Sequence, residues 1–275
     1  MFEAILIAAT GLSGQQRRID TIADNLANVN TAGFKAARLD FKDALHTAGF
    51  GQAATPAPAG NQQKGHGVMT AAITRRFQDG AMMKTDNPLD FAMEGGGFFA
   101  VRTAEGELAY SAGGPLYLGG GEEGRFYLTT ASGHRLLDRE DNPIEVPAGT
   151  AQIEVAQNGE IRFSDGRTPA AQAEGEVGEP QAPAPPDAVI GLYAFSNPGG
   201  LEAGGSGLFK PTAASGERLQ AGEGVRLCQG VLESSNVELS AEFTRLIRAQ
   251  RAFSLASRAL TLADDMEGIA NNLRR

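Results

Sequence analysis

Apolar positions recur every seven residues at both ends of the chain. Near the N-terminus Ile5, Leu12, Ile19 and Leu26 form one row, and Ala8, Gln15, Ile22 and Val29 follow them by three. These two rows share one face of a helix, with a single polar interruption, and have the spacing of a coiled-coil seam. Near the C-terminus Leu239, Leu246, Phe253 and Leu260 repeat at the same interval, while Ala249, Ala256, Ala263 and Ala270 make the second row. Large residues alternate with alanine there, so two helices can approach closely. Ser235-Asn236-Val237-Glu238 has the spacing of a capping box and predicts a helix start near Val237. The run Asn28-Val29-Asn30-Thr31-Ala32-Gly33 is poor helix sequence. It predicts that the first helix stops around residues 28–30, with Gly33 free to turn left-handed.

Between the two ends the period changes. Residues 34–45 are expected to continue as a second helical or irregular stretch anchored by Phe41 and Leu45. Residues 49–67 are low in hydrophobics and predict a long loop; residues 68–77 then predict a strand. Short alternating or apolar runs follow around residues 89–93, 98–101, 108–111, 125–128, 135–137, 144–146 and 189–195. Residues 153–163 read as a hairpin closed by a two-residue Asn158-Gly159 turn. Residues 173–188 are acidic and proline-rich and predict a linker. Many short strands in one block imply a β-rich sandwich or irregular barrel. The chain is therefore expected to be α+β, with N- and C-terminal α-helices forming a coiled-coil-like assembly domain around a β-rich central domain. The expected boundaries are a helical segment at 1–45, an extended linker at 46–85, the β-rich domain at 86–228 and a second helical segment at 229–275.

Charge sharpens this division. Residues 1–45 carry five basic and five acidic side chains, and residues 236–275 carry six and five. Of the chain's 24 basic and 33 acidic residues, 13 and 23 remain for the middle. Near-neutral ends favour close packing of many copies. An acidic middle argues against nucleic acid, which needs clustered Lys and Arg. No apolar run approaches the ~18 residues of a membrane span, so no membrane insertion is expected. The start lacks the basic region of a secretory signal, so export by the general secretory route is not expected. The lone Cys228 cannot form an internal disulfide and is expected to be a small buried hydrophobe on a strand.

Candidate chemistry is sparse. His46, His66 and His134 lie far apart, without the spacing of a zinc site. Gly119-Gly120-Gly121-Glu122-Glu123-Gly124 matches a dinucleotide-binding pattern literally, but two glutamates within it would repel phosphate, and it reads as a hairpin loop. No catalytic residue, cofactor or metal is expected. The functional residues should be those that assemble the chain.

The terminal motifs carry a resemblance. Asn25-Leu26-Ala27-Asn28-Val29-Asn30-Thr31-Ala32-Gly33-Phe34-Lys35 resembles the signature of the bacterial flagellar rod and hook proteins. The partner signature stands at Gly230-Val231-Leu232-Glu233-Ser234-Ser235-Asn236-Val237 and again at Leu246-Ile247-Arg248-Ala249-Gln250. Asn87-Pro88-Leu89-Asp90 and Gly95-Gly96-Gly97-Phe98-Phe99 are similar to its central anchors. Within the family, length and the segment after residue 45 are most like the distal rod members. Proximal rod paralogues and hook-like axial proteins are the alternatives, and a β-rich extracellular adhesin is the rival outside the class. Two departures stand out: the family's arginine after Tyr110 is missing, and Phe253 replaces a common tyrosine.

The resemblance implies a structural subunit of the basal-body rod that polymerises into a helical tube and transmits torque across the periplasm. It implies as partners further copies of the chain, the proximal rod and hook proteins, the rings around the rod and the type III export apparatus. The assembly interface nominated by seam and resemblance comprises Ile5, Leu12, Ile19, Ile22, Asn25, Leu26, Asn28, Gly33 and Phe34 at one end. At the other end it comprises Asn236, Val237, Leu239, Phe243, Leu246, Gln250, Phe253 and Leu260.

Overall fold

A computed structural model of the chain describes residues 2–44, 46–48, 63–121, 125–164, 186–205, 207–222 and 224–273. These form two compact units. The first contains residues 1–29, 36–76 and 237–275, and the second contains residues 30–35 and 77–236.

The first unit is built from helix α1 (Phe2–Ala27), helix α2 (Leu239–Leu273) and a β-hairpin. The two helices pack against each other, and the hairpin strands Ala37–Asp43 and Val68–Arg75 pack on α1. The rows read from the sequence run along the covered sides. Ile5, Leu12, Ile19 and Leu26 are half-buried on α1, and Ile22 is buried. On α2, Ala249 is buried and Leu246, Phe253 and Leu260 are half-buried. Intrachain packing of amphipathic faces is what stabilises such helices in water.

Residues 37–43 are a strand, not a continuation of helix. Ala37 and Leu39 are buried while Arg38 and Lys42 are exposed, which is the two-residue period of a half-covered strand. The strand pairs antiparallel with Val68–Arg75, with a bulge between Asp40 and Phe41. The expected loop at 49–67 lies largely outside the described residues; Gln63–Gly65 at its end pairs with His46–Ala48. Helix α2 begins at Leu239, so Ser235 stands too early to close a capping box, and the Glu238 carboxylate accepts from Ser240 Oγ instead.

The second unit is β-rich. Its main sheet runs in the order Glu202–Gly205, Leu208–Lys210, Leu108–Ser111, Phe98–Arg102, Arg135–Leu136, Phe126–Thr130, Gly113–Gly120, Asp90–Glu94, Arg226–Gln229. Leu192–Phe195 branches from Phe98–Arg102. The apolar runs of its strands are covered on both faces, and alternation sorts their side chains into two cores. Phe99, Val101, Ala109 and Leu136 join one with Leu128, Ile161 and Leu227. Phe98, Ala100, Tyr110 and Leu137 join the other with Tyr193, Phe195 and Phe209. All five of those rings make edge-on contacts, with Phe98–Phe195 at 5.6 Å and Tyr110–Phe195 at 4.9 Å.

The hairpin at residues 153–163 is present with one correction. Val155 pairs with Ile161, and the Ala156 N–H donates to the Glu160 carbonyl, so the loop holds three residues and Gly159 takes its left-handed position (φ 87°). The Gly119–Gly124 motif falls, as expected, where a hairpin turns: Gly120 pairs with Phe126 and the Gly121 N–H donates to the Arg125 carbonyl. Residues 122–124 and most of the acidic linker at 173–188 lie outside the described residues. Cys228 sits on a strand as expected but is only half-buried.

Candidate assembly surface and terminal clasp

The signature asparagine Asn25 has a structural task in the first unit. It is buried on α1, donates from Nδ2 to the Ala37 carbonyl and accepts the Ala37 N–H at Oδ1, each at 2.8 Å. Its amide thus mimics a neighbouring strand and satisfies both backbone groups of the first strand residue, as a buried backbone requires. Asn28 donates back to the Asp24 carbonyl at 2.9 Å as α1 ends. Helix α2 has a second apolar row on the side α1 does not cover. Phe243, Ile247, Leu255, Leu262, Met266, Ile269 and Leu273 are all exposed, and Leu239 joins them. From Leu255 on, the row keeps helical spacing over about five turns, interrupted by Arg258, an apolar strip of the kind that marks an interaction site.

In the second unit the two terminal signatures meet. Gly33 is left-handed (φ 70°), and its N–H donates to the Glu233 carbonyl at 2.8 Å. The left-handed glycine expected as a helix stop therefore serves a long-range contact within the chain, beyond the helix end. The Asn236 N–H donates to the Phe34 carbonyl at 3.4 Å, and Asn236 Nδ2 donates to the Gln78 carbonyl at 2.9 Å. At the centre Lys35 Nζ lies 2.7 Å from Glu233 Oε1, with the side chains 5% and 2% exposed. The same carboxylate oxygen accepts the Gly80 N–H, and Lys35 also donates to the Gln78 carbonyl at 3.2 Å. Two charges are thus held out of water by mutual pairing and backbone partners, which is the condition for burying them.

The central anchors are also explained by backbone satisfaction. Asp90, buried at the start of its strand, accepts from Thr85 Oγ1 at 2.8 Å and from Asn87 Nδ2 at 2.9 Å, while Asn87 Oδ1 accepts the Leu89 N–H. Gly95 is left-handed, and a Cβ there would stand 2.2 Å from the Gly224 carbonyl. The loop following Asp138 holds Asp141 at φ 64°, clamped by two 2.7 Å bonds from Arg218 and one of 2.6 Å from Arg102 to its carbonyl. These bonds, chiefly those from Arg218, hold the Asp141 carboxyl below its ordinary pKa. Among the described residues no group of three metal-ligating side chains converges, and no helix is long and apolar enough to cross a membrane.

The structure places the nominated residues in several settings. Ile5, Leu12, Ile19, Ile22, Leu26, Leu246, Phe253 and Leu260 lie on the sides covered within the chain, while Leu239, Phe243 and Gln250 are exposed. Asn25 serves the hairpin, and Gly33, Phe34 and Asn236 serve the clasp. Val237 is buried at the approach to α2. Sequence reading overlooked Lys35–Glu233, whose partners are 198 positions apart, and the outward row of α2.

Helical ends with an uncovered apolar strip, joined to a β unit whose polar side chains satisfy backbone rather than line a cleft, are the features of a structural, assembling protein. The comparisons agree. Residues 5–35 match the family model "Flagella basal body rod protein", residues 92–163 match "Flagellar hook protein FlgE/F/G D1 domain", and residues 229–273 match "Flagellar basal body rod FlgEFG protein C-terminal". The chain is 37% identical to the flagellar basal-body rod protein FlgG of Borreliella burgdorferi over the full length of both. It is 31% identical to FlgG of Bacillus subtilis over the full length of both, and 32% identical to FlgG of Caulobacter vibrioides over 99% of each. The chain belongs to the flagellar basal-body rod protein family, among its distal rod members, and is a structural subunit of the rod.

Proposed function

We propose that the chain polymerises through its terminal helices into a helical tube that carries torque across the periplasm. The outward row of α2 carries this reading. Leu255, Leu262, Met266 and Ile269 are more than half exposed on a helix whose other side is already packed. Each such side chain, already partly covered, gains about 1–2 kcal/mol when fully covered, so a strip of them favours association. The coiled-coil-like seam then has two parts: the rows found in the sequence join α1 to α2 within one subunit, and the outward row joins subunits. A contact between unlike surfaces that does not close into a ring propagates as an open helix.

The family supports neighbours of the same axial type, namely the proximal rod and hook proteins at the two ends. The acidic β-rich unit is the surface offered to the surrounding rings. The subunit leaves the cell interior through the flagellar type III apparatus. Leu262→Asp and Ile269→Asp test the assembly step. Each should abolish polymers seen by sedimentation and electron microscopy while leaving the unfolding curve of the β-rich unit unchanged. Normal polymers from both variants would refute the role of this strip.

A further inference from the structure

A cavity of about 480 Å³ opens in the first unit beside α1, the strand Ala37–Asp43 and the first turns of α2. Its rim carries Arg18, Arg38 and Arg245, against Asp40 and Glu242. Glu242 is the unusual member. Its side chain is 3% exposed; Oε1 pairs with Arg245, but Oε2 has no hydrogen-bond partner among the described residues. A buried carboxylate oxygen left unpaired is costly, and the positive end of α2 offsets only part of that cost. Arg38 pairs with Asp40 at 2.9 Å and Arg245 with Glu242, so the cavity keeps one positive charge in excess, that of Arg18, around one buried acceptor. It suits a ligand that brings carboxylates for the arginines and a neutral N–H donor for Glu242. Its outer walls are long, partly exposed arginine side chains, which can move aside.

The same chain carries a segment of that chemistry. Residues 264–273, the last turns of α2, hold Asp264, Asp265 and Glu267 ahead of Arg274 and Arg275, and they include the exposed amide of Asn272. None of these acids pairs with a cation among the described residues, so their charge is open to a partner. The cavity residues of α2 and the acidic segment lie 19 to 30 positions apart on one 35-residue helix, about 30–45 Å along its axis. A helix that rigid cannot fold its tail back onto its own first turn. We propose that the cavity receives the acidic end of α2 from a second copy of the chain. Its carboxylates then pair with Arg18 and Arg38, and Asn272 donates towards Glu242 Oε2. The contact joins unlike surfaces at the two ends of the helix, so it stacks subunits lengthwise. It rests on the polymerisation proposed above and specifies one of its axial contacts.

Charge exchange tests it in the full chain. One variant carries Arg18→Glu and Arg38→Glu, and the other carries Asp264→Arg, Asp265→Arg and Glu267→Arg. Circular dichroism checks that each folds. Within either variant cavity and tail now have like charge, which should raise the critical concentration for polymerisation at least ~10-fold. Mixed in equal amounts, each cavity finds an opposite tail in the other variant, and polymers should return near the wild-type threshold. Wild-type polymerisation by either variant alone overturns the proposal while leaving assembly intact. Failure of the mixture to recover also overturns it, because the loss would then not come from complementary charge. If the unmutated chain forms no polymer, the assembly reading fails, and this contact with it.

Discussion

Removing the carboxylate of Glu233 should unfasten the β-rich unit. In Glu233→Leu the Lys35 ammonium loses its carboxylate in a site that leaves its side chain 5% exposed, where it also donates to the Gln78 carbonyl at 3.2 Å. Breaking one half of a buried ion pair costs about 3–5 kcal/mol. The Gly80 N–H loses its acceptor too, for about 1–3 kcal/mol more. Together these reach a third or more of the ~5–15 kcal/mol that stabilises an ordinary domain. Lys35→Met alone should cost about 3 kcal/mol by leaving the carboxylate with one amide. The double variant buries no charge and leaves only the Gly80 amide unsatisfied, so it should cost about 1–3 kcal/mol, far less than the sum of the singles. The assay is urea unfolding followed by tyrosine fluorescence. The chain has no Trp and four Tyr, at 110, 117, 127 and 193, so the signal reports on the second unit alone. Single variants within about 1 kcal/mol of wild type, or a double variant as unstable as the two singles added, would refute the reasoning.

Three further outcomes follow from the same geometry. Asn25→Ala leaves both backbone groups of Ala37 unpaired; it should cost the first unit about 2–4 kcal/mol and expose the Ala37 amide to hydrogen exchange, read by NMR. Gly33→Ala places a Cβ at φ 70° and 3.4 Å from the Gly113 carbonyl, so the β-rich unit should lose about 1–2 kcal/mol in the urea assay. Asp141→Asn tests the Arg218 clamp without disturbing its left-handed backbone, which asparagine tolerates. Because the folded-state pKa of Asp141 is lowered, its stabilisation is complete above the unfolded value of about 4 and is lost as pH falls through the folded value. Wild type should therefore exceed the variant in stability at pH 6, and the difference should shrink below about pH 4; a constant difference down to pH 2 would contradict the clamp.

Local signals in the sequence determined a good deal about this protein. Seven-residue periodicity marked both helices, because a helix returns the same face at that interval and intrachain packing rewards apolar residues there. Alternation and turn residues marked the strands of the β-rich unit, because side-chain direction in a strand depends only on position parity. The terminal signatures carried the family, which the full-length relatives then established. Even the misread stretch at 37–43 held its signal: Ala37, Leu39 and Phe41 alternate with Arg38, Asp40 and Lys42. Its short length and its place after a helix made helix continuation look natural. What the strand needed was its partner, Val68–Arg75, about thirty positions further on.

The tertiary structure alone decided which side of each helix is left for neighbours. The amphipathic row that announces a helix is the one the chain uses on itself, so the apolar surface left uncovered lies on α2's other side, where Arg248, Arg251 and Arg258 interrupt the apolar pattern. It alone also decided that Lys35 meets Glu233. A single sequence records residue types and spacing. A buried ion pair depends on where the backbone returns after 198 positions, and on the loss of water there that makes each charge need the other.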